Sequence, residues 1–307
     1  MARVTEPLRA MGAHLDGRAD GTLPPLVVRG GDLTGCVHHL AVASAQVKTA
    51  LLLAGLQADG VTEVVEPAPS RDHTERMLGA LGAPVTRIDE RAVRAVAGAP
   101  TPFEFAVPGD PSSAAFWVVA ATIAPGSELV IEGVALNPSR IAFVDVLVRM
   151  GAAIELVATG ERLGEPVGEL RVTSAPLHGT TVEGAEIPSV IDEIPVLAVA
   201  AACAEGITEF RDAAELRVKE SDRIATVTEM LTRLGVGVET SADHLVVRGG
   251  RLQPGEIDSH GDHRIAMAGA VAATVIAGET RVRGWRSVAT SYPEFVADLA
   301  SLAGPAS

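Results

Sequence analysis

The sequence predicts an α/β protein built on a repeated unit of about 70 residues, and three patterns predict it. First, Leu or Met followed by Gly ends an amphipathic stretch at Gly12, Gly82, Gly151 and Gly235, spaced 70, 69 and 84 residues apart. A Gly there takes the left-handed conformation that stops a helix. Second, each stop is followed by an alternating strand, and most strands return, as in PLVVRGG, ELRVTSA and HLVVRGG. Third, nearly all-apolar helices open on polar caps at Ser44, Ser112, Asp192 and Asp262, spaced 68, 80 and 70 residues apart. A helix apolar on all sides must be buried on most of them.

In chain order, TEPLRAMGA is the tail of an amphipathic helix, stopped at Gly12 and followed by a hairpin. SAQVKTALLLAGL is the first buried helix, GVTEVVEP its strand, and RMLGALGAPVTRID the next amphipathic helix, stop and hairpin. The Pro-containing stretch 101–110 marks a boundary between domains 1–106 and 107–307. The second domain repeats the order with SSAAFWVVAATIA, SELVIEGV and VLVRMGAAIELVA. It does so again with DEIPVLAVAAACA, GITEFRDA and EMLTRLGVGVETS. DHRIAMAGAVAATVIA, GETRVRGW and the helix YPEFVADLASLAG close the chain. Because it opens inside a unit, the expectation is that sequence precedes Met1 or is supplied by another chain.

Composition narrows the function. A length of 307 residues suits two domains at about 150 each. The longest apolar run, Ile194 to Ala204, has 11 residues, short of the roughly 20 that span a bilayer. No basic stretch followed by an apolar one marks a secretory signal at the start. The net charge of −14 and the absence of a basic cluster argue against nucleic acid. Residues 107–307 carry −12 of that charge, from 15 basic and 27 acidic residues. Two distant cysteines, Cys36 and Cys203, form no disulfide framework and suit a reducing cytoplasm. The basic residues are 23 Arg and only two Lys, Lys48 and Lys219, which draws attention to both lysines.

Five polar clusters sit at the heads of these helices. In Lys219-Glu220-Ser221-Asp222-Arg223, a helix places both cations on one face, where an anion relieves their repulsion. Arg grips phosphate or carboxylate bidentately, Lys adds a mobile charge, and Glu220 can exchange a proton. The same residues also describe a solvated helix start capped by Ser221 or Asp222. Ser259-His260-Gly261-Asp262-His263-Arg264 opens a buried helix, whose N-terminus and Arg264 favour an anion. A metal held by His260, Asp262 and His263 is the other reading, with ligands crowded together and no distal partner. Ser44-Ala45-Gln46 with Lys48 suits a polyol or phosphate, or plain capping. Ser70-Arg71-Asp72-His73 occupies the position of Lys219–Arg223 in its own unit. Asp192-Glu193 heads an otherwise apolar helix, as caps or as a general base with a perturbed pKa. Helix heads facing one cleft would suit a small substrate with several negative charges.

The motifs SAQVKTALLLAGL, PSRDHTERMLGALGA, GDPSSAAFWVVAA, DEIPVLAVAAACAEG, ELRVKESDRI, GDHRIAMAGAVAA and SYPEF follow in order. On them the chain resembles, over essentially its whole length, the EPSP synthase (3-phosphoshikimate 1-carboxyvinyltransferase) family of enolpyruvyl transferases. The resemblance implies two domains of βαβαββ-type units with the active site between them. Residues 1–106 then correspond to the rest of the N-terminal domain, and 107–307 to a C-terminal domain of three units lacking its N-terminal closing segment. The implied reaction moves the enolpyruvyl group of phosphoenolpyruvate to the 5-hydroxyl of shikimate 3-phosphate. Phosphate leaves, a tetrahedral adduct is the intermediate, and no metal or organic cofactor is needed.

By resemblance, Ser44, Ala45 and Gln46 form the shikimate 3-phosphate loop, with Gln46 also near phosphoenolpyruvate. Arg71 and Lys219 are further shikimate 3-phosphate ligands. Asp192 accepts the 5-hydroxyl proton, and Glu220 protonates the methylene carbon. Arg223 and Arg264 bind phosphoenolpyruvate. Thr290 stands where many members carry a phosphoenolpyruvate-contacting Lys, so no contact is expected of it. The family's N-terminal Lys-Ser pair, its downstream Arg, its Gly-rich loop and a further Arg have no counterpart after Met1. The expectation is therefore an isolated chain of weak or no activity. The alternatives are a non-catalytic remnant, or half of a split enzyme with an N-terminal partner chain. Partners are otherwise the two small substrates, with no nucleic acid or membrane, and the complete protein is expected to be a cytoplasmic monomer.

Overall fold

The computed structural model describes residues 1–302, which form two compact units. The first takes in residues 1–107 and 161–166, the second residues 108–160 and 167 onward.

The first unit opens with α1 (Ala2–Ala10) and the antiparallel hairpin β1 (His14–Arg18) and β2 (Leu23–Arg29). It continues with β3 (Val37–His39), α2 (Ala45–Gly55), β4 (Val61–Val65), α3 (His73–Ala80), β5 (Val85–Arg87) and β6 (Ala92–Val96). These strands form one sheet in the order β3-β4-β6-β5. β3 and β4 are parallel, and the other pairs are antiparallel. Parallel neighbours need a crossover, which α2 provides, whereas the antiparallel pair closes through a short turn. Val47, Leu51 and Leu52 of α2 are buried in one cluster with Met11, Val64, Val93 and Ala95.

The second unit contains α4 (Pro111–Ile123), β7 (Glu128–Ala135), α5 (Ala142–Arg149), β8 (Ala153–Arg162), whose last two residues group with the first unit, and β9 (Glu165–Thr173), whose first two do. It continues with β10 (Thr181–Val182), α6 (Ile187–Val190), α7 (Ile194–Cys203), β11 (Ile207–Phe210), α8 (Arg223–Arg233), β12 (Gly237–Thr240) and β13 (Leu245–Arg248). The last elements are β14 (Glu256–Asp258), α9 (His263–Ala273), β15 (Arg281–Arg283) and α10 (Phe295–Leu302). The order β10-β11-β13-β12, with β10 and β11 parallel, repeats the sheet of the first unit strand for strand. The order β7-β9-β8 is the same pattern, its first strand reduced to a parallel bridge between Gly109 and Val134. β14 and β15 give the parallel pair once more, with α9 as the crossover. The repeat legible in the sequence is thus a repeat of topology.

Gly12, Gly82, Gly151 and Gly235 have φ of +99°, +71°, +103° and +81°, the left-handed stops expected of them. The four nearly all-apolar stretches are α2, α4, α7 and α9, and every residue of α7 from Ile194 to Ala202 is buried. α4, α7 and α9 pack on one another at the centre of the second unit. α10 is pinned to α4 by rings: Trp117 stacks on Phe295 with centroids 4.6 Å apart, and its indole N–H donates to Tyr292 at 3.0 Å. The closing helix read through Gly304 is described only to Leu302, its last residues lying outside the described range. Among the described residues, no helix is long and apolar enough to cross a membrane.

Three local expectations need correction. α4 is capped by Asp110, whose carboxylate accepts the Ser113 N–H at 3.1 Å, and not by Ser112. Pro111 takes the first helical position, where a missing N–H costs nothing, so the cap falls one residue earlier. Glu193, and not Asp192, occupies the cap position of α7, and its side chain makes no capping hydrogen bond. Lys219 and Arg223 do not share a helix: Lys219 ends a short 3-10 turn, and α8 begins only at Arg223, after the Asp222 cap.

Candidate active site

In the second unit the heads of α7, α8 and α9 are bound together by charge. Arg223 opens α8, and its side chain is 0% exposed. Its Nε donates to Oδ2 of Asp262 at 2.9 Å, and its two terminal nitrogens reach Glu220 at 2.5 Å and Asp192 at 3.5 Å. Asp262, also fully buried, caps α9 by accepting the Arg264 N–H at 2.9 Å and takes a hydrogen bond from Ser221 at 3.0 Å. Burial alone would push the Asp262 carboxyl up, but hydrogen bonds and charge from Arg223 outweigh it and hold the group below the usual carboxylate range. Asp262 is therefore committed to an arginine and a helix end. Among the described residues, no group of three His, Cys, Asp or Glu side chains is arranged to hold a metal.

Asp192 is the meeting point of the two motifs. Its carboxylate lies 3.8 Å from the Lys219 ammonium and 3.5 Å from Arg223, and its backbone carbonyl accepts a hydrogen bond from Arg264 at 2.9 Å. Lys219 is also held by Glu215 at 2.7 Å. Glu220 is tied to Arg223 yet keeps about half of its side chain in solvent (53%). Arg264 uses one terminal nitrogen for the Asp192 carbonyl, and the same nitrogen lies 3.7 Å from Oε1 of Glu193.

Behind this layer is a second one, whose pairings and whose Arg140 sequence reading missed. Glu193 is buried and accepts a short hydrogen bond from the Ser112 hydroxyl. Ser112 in turn accepts from Arg140 at 2.8 Å, and Arg140 also donates to Asp110 at 2.7 Å. Ser112 and Glu193 are 81 residues apart, so no local pattern pairs them. The one available signal was a second carboxylate heading the most apolar helix of the chain.

The first unit holds the other predicted residues. Ser44 caps α2, its hydroxyl accepting the Val47 N–H at 3.4 Å, with Ala45 the first helical residue and Gln46 exposed beside it. Glu66 organises this loop: it accepts the Ser44 N–H at 3.0 Å and the Ser70 hydroxyl at 2.9 Å. It also pairs with Lys48 at 2.8 Å, and Lys48 reaches Glu75 at 2.7 Å. The lysine singled out by its rarity is thus buried and neutralised by two carboxylates. Arg71 is half-buried beside Asp72, which heads α3 and pairs with Arg76 at 2.9 Å. Thr290 is exposed, and its hydroxyl donates to the Ser287 carbonyl at 2.7 Å.

Known proteins share this framework. The family model of EPSP synthase (3-phosphoshikimate 1-carboxyvinyltransferase) matches residues 1–299. The chain belongs to the EPSP synthase family. It is 54% identical over 310 residues to the 3-phosphoshikimate 1-carboxyvinyltransferase of Synechococcus sp. (strain JA-3-3Ab), covering 100% of this chain and 70% of that protein. The enzyme of that name from Roseiflexus sp. (strain RS-1) is 52% identical over 308 residues, covering 98% of this chain and 70% of its own length. Among solved structures, EPSP synthase from Acinetobacter baumannii superposes with a TM-score of 0.92 at 41% identity, over 99% of this chain and 70% of that one. The α/β architecture of repeated units is therefore that of the EPSP synthases. Both observed motif clusters, KESDR around α8 and GDHRIAMA around α9, lie within the matched range.

Proposed function

We propose that this member of the EPSP synthase family transfers the enolpyruvyl group of phosphoenolpyruvate to the 5-hydroxyl of shikimate 3-phosphate, releasing phosphate. The observation that carries the reading is the convergence of the α7, α8 and α9 heads on Asp192, where two separate motifs deliver Lys219, Arg223 and Arg264. Two cations in the first turns of α8 and α9, with Lys219 on the turn before α8, suit anionic substrates, because the helix dipoles add to the fixed charge.

In this reading Asp192 accepts the proton of the 5-hydroxyl as its oxygen adds to the enolpyruvyl carbon. Glu220, still half in solvent, gives the proton that the methylene carbon needs. Removal of a proton from the tetrahedral adduct, with loss of phosphate, regenerates the enol ether. Lys219 holds shikimate 3-phosphate beside Asp192 and Arg264 holds phosphoenolpyruvate, while Arg223, buried on Asp262, Glu220 and Asp192, reaches phosphoenolpyruvate only by giving up Glu220 or Asp192. Ser44, Ala45, Gln46 and Arg71 of the first unit are the remaining shikimate 3-phosphate ligands, with Gln46 also at phosphoenolpyruvate. The first unit then corresponds to the N-terminal domain of the family and the second to its C-terminal domain. Two free cysteines suit a reducing, cytoplasmic setting.

Titration calorimetry of the chain with each substrate tests the proposal. Shikimate 3-phosphate is expected to bind, and to stop binding in Lys219→Ala. Phosphoenolpyruvate is expected to lose its site in Arg264→Ala. A chain that takes up neither ligand, or variants that bind as the parent does, overturns it.

A further inference from the structure

We propose that Glu193 is the positioning residue for Arg264, with Ser112 and Arg140 as the groups that aim it. The inference rests on the reading of Arg264 as a phosphoenolpyruvate ligand and deepens it.

The polarity of the relay is set by chemistry. A guanidinium donates only, so the Arg140 contact must fall on a lone pair of the Ser112 oxygen. That leaves the single Ser112 proton for Oε1 of Glu193, the oxygen that also faces Arg264 at 3.7 Å. The carboxylate is thereby fixed in one orientation, with its charge toward the arginine. Arg264 is gripped at one terminal nitrogen, between the Asp192 carbonyl and Glu193. Its Nε and other terminal nitrogen make no hydrogen bond among the described residues, and the side chain is 16% exposed. The fork is thus clamped at one prong and offers the other donors to an anion, the arrangement that bidentate recognition of phosphate or carboxylate requires.

Glu193 has no other evident reason to be charged. Its side chain is 3% exposed at the head of a helix whose next nine residues are all buried and uncharged. A charge so placed costs stability, and such departures from local consistency concentrate at functional sites. Burial pushes its carboxyl up, opposed by the Ser112 hydrogen bond and the Arg264 charge, so the ionised form depends on those two partners.

Glu193→Gln tests the assignment, since glutamine keeps the shape and an oxygen for Ser112 but removes the charge. Calorimetry with phosphoenolpyruvate and, separately, shikimate 3-phosphate is run beside thermal melts. Phosphoenolpyruvate affinity should fall roughly two- to fivefold, the worth of an ion pair that makes no hydrogen bond. Shikimate 3-phosphate affinity should stay at the parent level and the melting temperature should not fall. A merely structural residue would give the opposite pattern. Ser112→Ala, which leaves the carboxyl in place but removes the hydrogen bond that orients it and favours its ionised form, should lose phosphoenolpyruvate affinity in the same direction and by no more. Unchanged phosphoenolpyruvate affinity in Glu193→Gln, or equal losses for both ligands, overturns the inference while the functional reading stands. Failure of the parent chain to bind either ligand removes that reading, and this inference with it.

Discussion

The buried pair of Arg223 and Asp262 offers a prediction about stability whose size follows from the structure. Asp262→Asn removes the charge opposite a fully buried arginine yet spares the helix cap, because Asn caps about as well as Asp. Removing one partner of a buried ion pair costs about 3–5 kcal/mol. Arg223 keeps Glu220 at 2.5 Å and Asp192 at 3.5 Å, so the lower end, about 3 kcal/mol, is expected. Asp262→Ala loses the cap as well and should cost about 1 kcal/mol more. Both tryptophans, Trp117 and Trp285, belong to the second unit, so fluorescence-detected urea unfolding reports on the unit that holds this pair. With an m value near 3 kcal/mol/M, the midpoint should drop by about 1 M.

The pH dependence of this pair has a definite sign. Asp262 is held below the usual carboxylate range, so its stabilisation is present above the ordinary carboxylate pKa and lost as pH falls through its folded value. The gap between parent and Asp262→Asn should close on acidification. A gap under about 0.5 kcal/mol at neutral pH, the size of an ordinary surface change, would refute the argument, as would a gap that widens in acid.

Three further outcomes are expected. Lys48→Met leaves Glu66 and Glu75 facing each other without their cation and should destabilise the first unit by about 3 kcal/mol or more, seen as faster amide exchange in α2; exchange at the parent rate counts against a structural role for Lys48. Gly82→Ala meets no atom within 4 Å and pays only for its left-handed backbone, about 1–2 kcal/mol, whereas a β-carbon at Gly249 would overlap the Ala204 carbonyl, so Gly249→Ala should show the larger drop in melting temperature. Burial pushes the Cys203 thiol up to about 11, leaving roughly 0.1% thiolate at pH 8, so mass spectrometry of the folded chain should find iodoacetamide on Cys36 well before Cys203.

Much of the fold was legible because its signals belong to residue types. A Gly after Leu or Met stops a helix wherever it stands, and a run such as IPVLAVAAAC can only be buried, so stops and central helices were readable one unit at a time. Their repetition then gave the period. The candidate site was legible as a set of motifs but not as an arrangement. Nothing local says that Lys219 lies outside α8, since the bend at 219–222 is set by the Asp222 cap and by the partners of Arg223. Nor does the sequence pair Arg140 with Ser112, 28 residues away, or Ser112 with Glu193. Two acceptable caps stood near the start of α4, and the proline between them decided the outcome. Lys48 drew notice for scarcity and for its place after Ser44-Ala45-Gln46, and neither carries information about depth.

The central position of α7 has a consequence for synthesis. Its residues Ile194 to Ala202 have no polar face with which to wait in water, and one of the helices that covers them, α9, is complete only at Ala273. At roughly 5–20 residues per second, the ribosome needs about 4–14 s to make the intervening 70 residues. For that interval the nascent chain carries a sticky segment with part of its cover still untranslated. A slow stretch of translation between residues 203 and 273, or a shortage of chaperone, would prolong the exposure and divert chains to aggregation before the second unit can close.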